Sequence, residues 1–168
     1  MFYTLSKIHP DDRRGMAQVR ALLEQEGISL DGNLDYTCGL FDENDNLAAT
    51  GSSFGATLRC FAVDRAHQGE GLLNQIVSHL VERLTGQGRT HLFVYTKVST
   101  AKFFQDLGFY EIARVENTLS FLENRKNGFA RFCARLSQSR TEEPAAAIVM
   151  NANPFTLGHL SLVERAAK

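Results

Sequence analysis

Two short stretches carry residue types that could do chemistry. The first is Gln68-Gly69-Glu70-Gly71, which follows an apolar run, Leu58 to Val63, and precedes a long amphipathic segment. Read as strand, loop and helix start, it points unpaired backbone N–H groups and the positive end of a helix dipole the same way. That is the make-up of a phosphate site. Glycine at positions 69 and 71 lets a ligand's oxygens reach the backbone, where a side chain would hold them off. The second stretch is Asn151-Ala152-Asn153-Pro154-Phe155-Thr156-Leu157-Gly158-His159, again after a short apolar run and at the start of a helical pattern. A helix N-terminus with a close-approach glycine is once more suited to phosphate. Each stretch also fits a plainer role: a tight turn in the first case, an N-cap with a stray histidine in the second.

The elements that must position these residues follow from hydrophobic spacing. Tyr3 to Lys7 suits a first strand. Asp11 and Asp12 can cap a helix in which Met16, Val19, Leu22 and Leu23 recur up to Gln25, with Gly27 as its stop. Tyr36 to Phe41 and Leu47 to Ser53 read as a hairpin around Asp42–Asn46, and Leu58 to Val63 follows as a third antiparallel strand. After the glycine loop, Leu72, Leu73, Ile76, Val77, Leu80, Val81 and Leu84 form one apolar stripe that ends at Gly86 and Gly88. A strand around Leu92 and Val94 comes next. A short helix through Ala101, Phe103, Phe104 and Leu107 ends at Gly108, and two strands, Phe109 to Val115 and Thr118 to Leu122, complete the series. The pattern predicts an α+β fold, a mostly antiparallel mixed sheet flanked by helices.

Beyond Phe129 the composition shifts. Phe129 to Leu136 suits a connecting helix, so residues 1–136 are expected to form one domain and the polar 137–144 stretch a linker. Ala145 to Met150 suits a strand of the buried parallel type and Leu157 to Ala167 a helix. Residues 145–168 then form a lone βα unit, which cannot bury its own strand. The chain is therefore expected to be a fragment of a longer protein.

Composition sets bounds on function. A chain of 168 residues with 43% apolar and 22% charged residues is ordinary for a globular protein, and a net charge of −1 gives no general attraction to nucleic acid or acidic membranes. No apolar run approaches a membrane span and the N-terminus is no signal peptide. Three cysteines, Cys38, Cys60 and Cys133, suit reduced thiols in a cytoplasm, and neither Cys-x-x-Cys nor His-x-x-x-His spacing points to a metal. His67, His79 and His91 fall on a loop, a helix and a strand, which suits structural or solvated roles. Lys97 or Lys102 could pair with a phosphate of a bound ligand.

The glycine loop follows an antiparallel strand and no acidic residue stands where a dinucleotide fold binds ribose, so it points away from that fold. Residues 61–73, with Phe103-Phe104-Gln105-Asp106-Leu107-Gly108-Phe109, resemble the acyl-CoA-binding motifs of the GNAT acyl-CoA N-acyltransferase superfamily. The resemblance implies a strand splayed from its neighbour whose backbone pairs with a pantetheine arm. Phe61, Ala62 and Val63 would meet pantetheine, and Gln68, Gly69, Glu70, Gly71, Leu72 and Leu73 the pyrophosphate of acetyl-CoA or a CoA-like group. Two departures stand out. Ala66 lies where the superfamily often has Gln or Arg, and Phe104 lies where many members have the tyrosine that protonates the leaving thiolate. A phenyl ring has no proton to give.

The second stretch is similar to the His/Thr-x-Gly-His motif of nucleotidylyltransferases, matched by Thr156, Gly158 and His159. By that resemblance these residues bind ATP, and His159 is the catalytic residue that steadies the triphosphate during attack at the α-phosphorus. The two motifs in this order resemble the citrate lyase ligase family across essentially the whole chain. That resemblance implies an acid–thiol ligase. It would use ATP and acetate to acetylate the thiol on the citrate lyase acyl carrier subunit, through acetyl-adenylate, releasing AMP and diphosphate. A working GNAT acetyltransferase, transferring acetyl from acetyl-CoA to an amine or a thiol, is the alternative.

Overall fold

The computed structural model describes residues 2–138, 140 and 146–167. They divide into two compact units, Met1–Phe129 and Ala130–Lys168.

The first unit is built on a seven-stranded sheet of order β1-β2-β3-β4-β5-β7-β6. Its strands are β1 (Thr4–Ile8), β2 (Tyr36–Phe41), β3 (Leu47–Phe54), β4 (Thr57–Val63), β5 (Phe93–Thr96), β6 (Tyr110–Val115) and β7 (Leu119–Glu123). Strands β1 to β4 are antiparallel neighbours; short turns join β2 to β3 and β3 to β4, whereas α1 lies in the connection from β1 to β2. The one parallel pair is β4 with β5, joined by the crossover helix α2 (Leu72–Gly86). The mixed α+β sheet flanked by helices is the fold that the sequence predicts.

Helix α1 (Arg13–Gln25) starts where Asp12 accepts a 3.0 Å hydrogen bond from the Gly15 N–H, and it buries Val19, Leu22 and Leu23. Helix α2 buries Leu72, Ile76, Val77, Leu80 and Leu84, a stripe that joins Cys38, Leu40, Ala49, Leu58 and Phe61 in the main core. Full burial of each such side chain is worth about 1.5–3 kcal/mol, so this stripe anchors the helix. The seat for α2 requires Gly51: a Cβ there would lie 2.4 Å from Ile76 Cγ2 and 2.9 Å from the Phe61 ring. Opposite Gly51, β4 bulges. The register passes from Ser52↔Arg59 to Thr50↔Ala62, and Cys60 takes a left-handed φ of 53°. Helix α3 (Val98–Asp106) lies between β5 and β6, and Gly108 follows it with φ 87°.

Helix α4 (Gly128–Ser137) begins at the end of the first unit, and α5 (Leu157–Ala166) belongs to the second. The expected strand over 145–150 differs. Ala145 lies outside the described residues, and residues 146–150 form no strand. A strand is completed by its ladder, and no other strand exists among the described residues of this unit to provide one. Val149 is correspondingly fully exposed. Of the expected linker, residues 139 and 141–144 lie outside the described residues, and Ser137 closes α4.

Candidate functional site

The sequence around β4 fixes the shape of a cleft. β4 pairs with β5 only at Thr57↔Phe93 and Leu58↔Val94. Past Leu58 the two strands part, so Arg59 to Val63 have no ladder on that edge. Backbone donors and acceptors of an unpaired edge can be matched by an extended ligand lying alongside. The gap opens into a cavity of about 1160 Å³.

The glycine loop closes one end of this cavity. Asp64 turns the chain out of β4 by accepting from the Ala66 N–H at 2.8 Å, and a short 3-10 turn, Arg65–His67, follows. Gly69 and Gly71 then take φ of 86° and 75°, the left-handed region where side chains are strained. Gly71 is also the N-cap of α2, and no side chain caps that helix. Leu72, Leu73 and Asn74 line the cavity at this start, where the first-turn N–H groups and the positive helix end favour an anion.

The structure brings most of the sequence-derived residues together. Phe61, Ala62, Val63, Gln68, Gly69, Gly71, Leu72 and Leu73 all line the one cavity. Glu70 does not: its Oε2 accepts a 2.5 Å hydrogen bond from the Tyr3 hydroxyl. Lys97 lines the cavity too, with its ammonium held by the Glu26 carbonyl, whereas Lys102 does not and pairs with the Asp106 carboxylate. Phe104 is fully buried, with its ring centroid 5.2 Å from Phe61, 5.3 Å from Phe103 and 6.1 Å from Phe109, so it packs the core beneath the cleft. Phe103 lines the cavity.

Sequence reasoning missed part of the cleft wall. Glu26 to Ser29, Asp31, Arg59, Tyr95 and Asn117 to Leu119 line it. Glu26 to Ser29, Asp31 and Asn117 come from turns that no periodicity marks, while Arg59, Tyr95 and Leu119 lie on β4, β5 and β7, where a strand pattern does not say that they face a cleft. Their charges are paired. Arg59 contacts Asp31 at 3.1 Å and stacks over Tyr95 at 5.4 Å. Glu26 faces Arg65 at 3.5 Å and Lys97 at 3.9 Å. Both carboxylates lining the cleft are thus already held by cations. Cys60 also lines it, and burial pushes its thiol up, which keeps it protonated and a poor nucleophile.

In the second unit, Thr156, Gly158 and His159 meet at the start of α5. His159 Nδ1 accepts from the Thr156 backbone N–H at 3.0 Å and lies 2.8 Å from the Thr156 hydroxyl. An imidazole whose Nδ1 accepts carries its proton on Nε2, which leaves that N–H able to donate.

Comparison with known proteins agrees with both parts. Residues 145–168 match the family model of the citrate lyase ligase C-terminal domain. The chain is 34% identical over 157 residues to the citrate (pro-3S)-lyase ligase of Klebsiella pneumoniae, covering 93% of this chain and 46% of that protein. It is 31% identical over 156 residues to the enzyme of the same name from Haemophilus influenzae, covering 92% and 47%. The chain thus spans about half the length of the curated relatives it matches. Among solved structures, a GNAT-family acetyltransferase from Staphylococcus aureus Mu50 superposes with a TM-score of 0.61 at 11% identity, covering 73% of this chain and 98% of that one. N-acetylglutamate synthase from Neisseria gonorrhoeae, solved with coenzyme A and N-acetyl-glutamate, gives 0.58 at 20% identity, covering 74% and 35%. At these identities the likeness is one of fold. The curated homologues of this chain are citrate lyase ligases, and its sheet has the GNAT-like acyl-CoA N-acyltransferase fold.

Proposed function

We propose that the chain is part of a citrate lyase ligase and that its first unit binds CoA or a CoA-like pantetheine group. The observation that carries this reading is the open edge of β4 running into the uncapped start of α2. An extended amide-bearing arm matches the first and a pyrophosphate the second. In this reading Phe61, Ala62 and Val63 lie along the arm. Gln68, Gly69, Gly71, Leu72 and Leu73 surround the phosphates.

The whole protein would join acetate to the prosthetic-group thiol of the citrate lyase acyl carrier subunit, with ATP cleaved to AMP and diphosphate, in the cytoplasm. Residues 1–136 form the pantetheine-binding domain, 137–144 the linker, and 145–168 the start of the nucleotidylyltransferase domain. Thr156 and Gly158 shape the α5 start for ATP, and the free His159 Nε2–H supports charge building on its phosphates. The first unit is then a receptor for the carrier's own arm rather than a catalyst. Phe104 offers no proton, and the cleft carboxylates are already paired.

Titration of the chain with dephospho-CoA, CoA and the acyl carrier subunit tests this. Saturable binding of dephospho-CoA and the carrier is expected, and binding of none of the three would refute it. The alternative, acetyl transfer from acetyl-CoA to an amine or thiol, draws on the continuation of the cleft to Arg59 and Asn117. It requires turnover of acetyl-CoA with an acceptor, rising in Phe104→Tyr. Acetyl-CoA binding without turnover in either form favours the receptor role.

A further inference from the structure

A carboxylate, Glu70, stands between the two glycines of the phosphate loop. A negative charge facing the cleft there would repel a pyrophosphate. Glu70 instead reaches Tyr3, just ahead of β1, whose hydroxyl donates to Oε2 at 2.5 Å. The same phenol oxygen lies 2.7 Å from His67 Nδ1, and the two rings meet edge-on with centroids 5.6 Å apart. A phenol has one proton. With that proton directed at Glu70, the His67 Nδ1–H must donate to the phenol oxygen. His67, Tyr3 and Glu70 thus form a directional chain of hydrogen bonds across the loop. His67 itself lines the cleft and Glu70 does not. The hydrogen bond to Glu70 also helps push the Tyr3 phenol up to about 12, as expected of a phenol whose proton is held by a carboxylate.

We propose that Tyr3 is a positioning residue for the phosphate loop, holding the Glu70 carboxylate out of the cleft so that the loop's backbone donors face a ligand's pyrophosphate. The inference rests on the CoA reading above and deepens it.

Tyr3→Phe in the 168-residue chain keeps the ring and removes the hydroxyl. CoA affinity is expected to fall about fivefold, the scale of one released charge near a phosphate in a water-exposed site. Affinity for pantetheine, which carries no phosphate, stays unchanged. Adding Glu70→Gln to Tyr3→Phe restores CoA affinity, because the released side chain no longer bears a charge. Equal CoA affinity in the wild-type chain and Tyr3→Phe overturns the inference and leaves the CoA reading standing. A loss shared by CoA and pantetheine, or one that Glu70→Gln does not repair, also overturns it, since Tyr3 then only supports the fold. A wild-type chain that binds no CoA overturns the underlying reading and this inference with it.

Discussion

Helices α2 and α5 both start at a glycine motif, yet their first turns are occupied differently. At α2, Gly71 is a left-handed N-cap without a side-chain bond, and the turn lines a cleft. At α5, the motif's own histidine folds back onto the Thr156 N–H. The first arrangement leaves backbone donors for a ligand. The second uses a backbone donor to fix an imidazole and offers the ligand a side-chain N–H instead. The difference shows that a glycine beside a helix start does not by itself define a phosphate site. What matters is whether a neighbouring side chain has already taken the donors.

The sharpest break of this comparison is Gly71→Val. A β-branched residue at φ 75° is strained, and its side chain projects into the space that the first α2 turn leaves open. CoA affinity is expected to fall by more than about tenfold, a loss worth about 1.4 kcal/mol or more in binding free energy. A competition titration measures it, and unchanged affinity would remove the backbone-donor role from α2.

Gly51→Ala tests what seats α2. The added Cβ would sit 2.4 Å from Ile76 Cγ2, so helix or bulge must shift, at a cost of about 1–3 kcal/mol. Thermal unfolding should show a lower Tm. An unchanged Tm would mean that α2 can move without loss and that its start is not a fixed feature of the cleft.

His159→Ala acts on the other helix. Losing the ring that accepts from Thr156 should cost about 1 kcal/mol of local helix stability, seen as faster amide exchange at the first turn of α5. CoA affinity should not change. A parallel fall in CoA affinity would contradict the assignment of that ligand to the first unit alone.

The smallest effect concerns Tyr3. Its phenol is raised from 10.0 to about 12 by the Glu70 hydrogen bond first and by burial second. The neutral phenol is therefore the form favoured by the fold. Its contribution to stability is fully present below its ordinary value and is lost as pH rises through about 12. Ultraviolet titration should show two of the four tyrosines ionising late, because burial raises Tyr36 as well, and Glu70→Gln should bring only Tyr3 back toward the ordinary value. A titration curve that Glu70→Gln leaves unchanged would mean that the Tyr3–Glu70 bond does not hold in solution.

Much of the fold was readable because its elements are amphipathic with one dominant period. The α2 stripe from Leu72 to Leu84 and the β2–β3 hairpin around Asp42–Asn46 are local patterns, and the structure has them within a residue or two. The strand expected over 145–150 is absent from residues 146–150, because an apolar run predicts burial, not a partner. The cleft was half readable. Its glycine loop has a composition sign, whereas Glu26 to Ser29, Asp31 and Asn117 are turn residues with no pattern, and a strand pattern at Arg59, Tyr95 and Leu119 does not report what they face.

By itself the sequence determined the alternation of strands and helices in the first unit, the glycine loop after β4 and the missing hydroxyl at Phe104. These follow from side-chain chemistry and from spacing along the chain. Only the tertiary structure decided that β4 and β5 part after two ladder pairs, that Glu70 turns to Tyr3, and that Arg59 and Lys97 are already paired. Those outcomes depend on contacts between residues distant in sequence, such as Tyr3 and Glu70. Periodicity reports which face of an element is buried, but it does not report what that face meets.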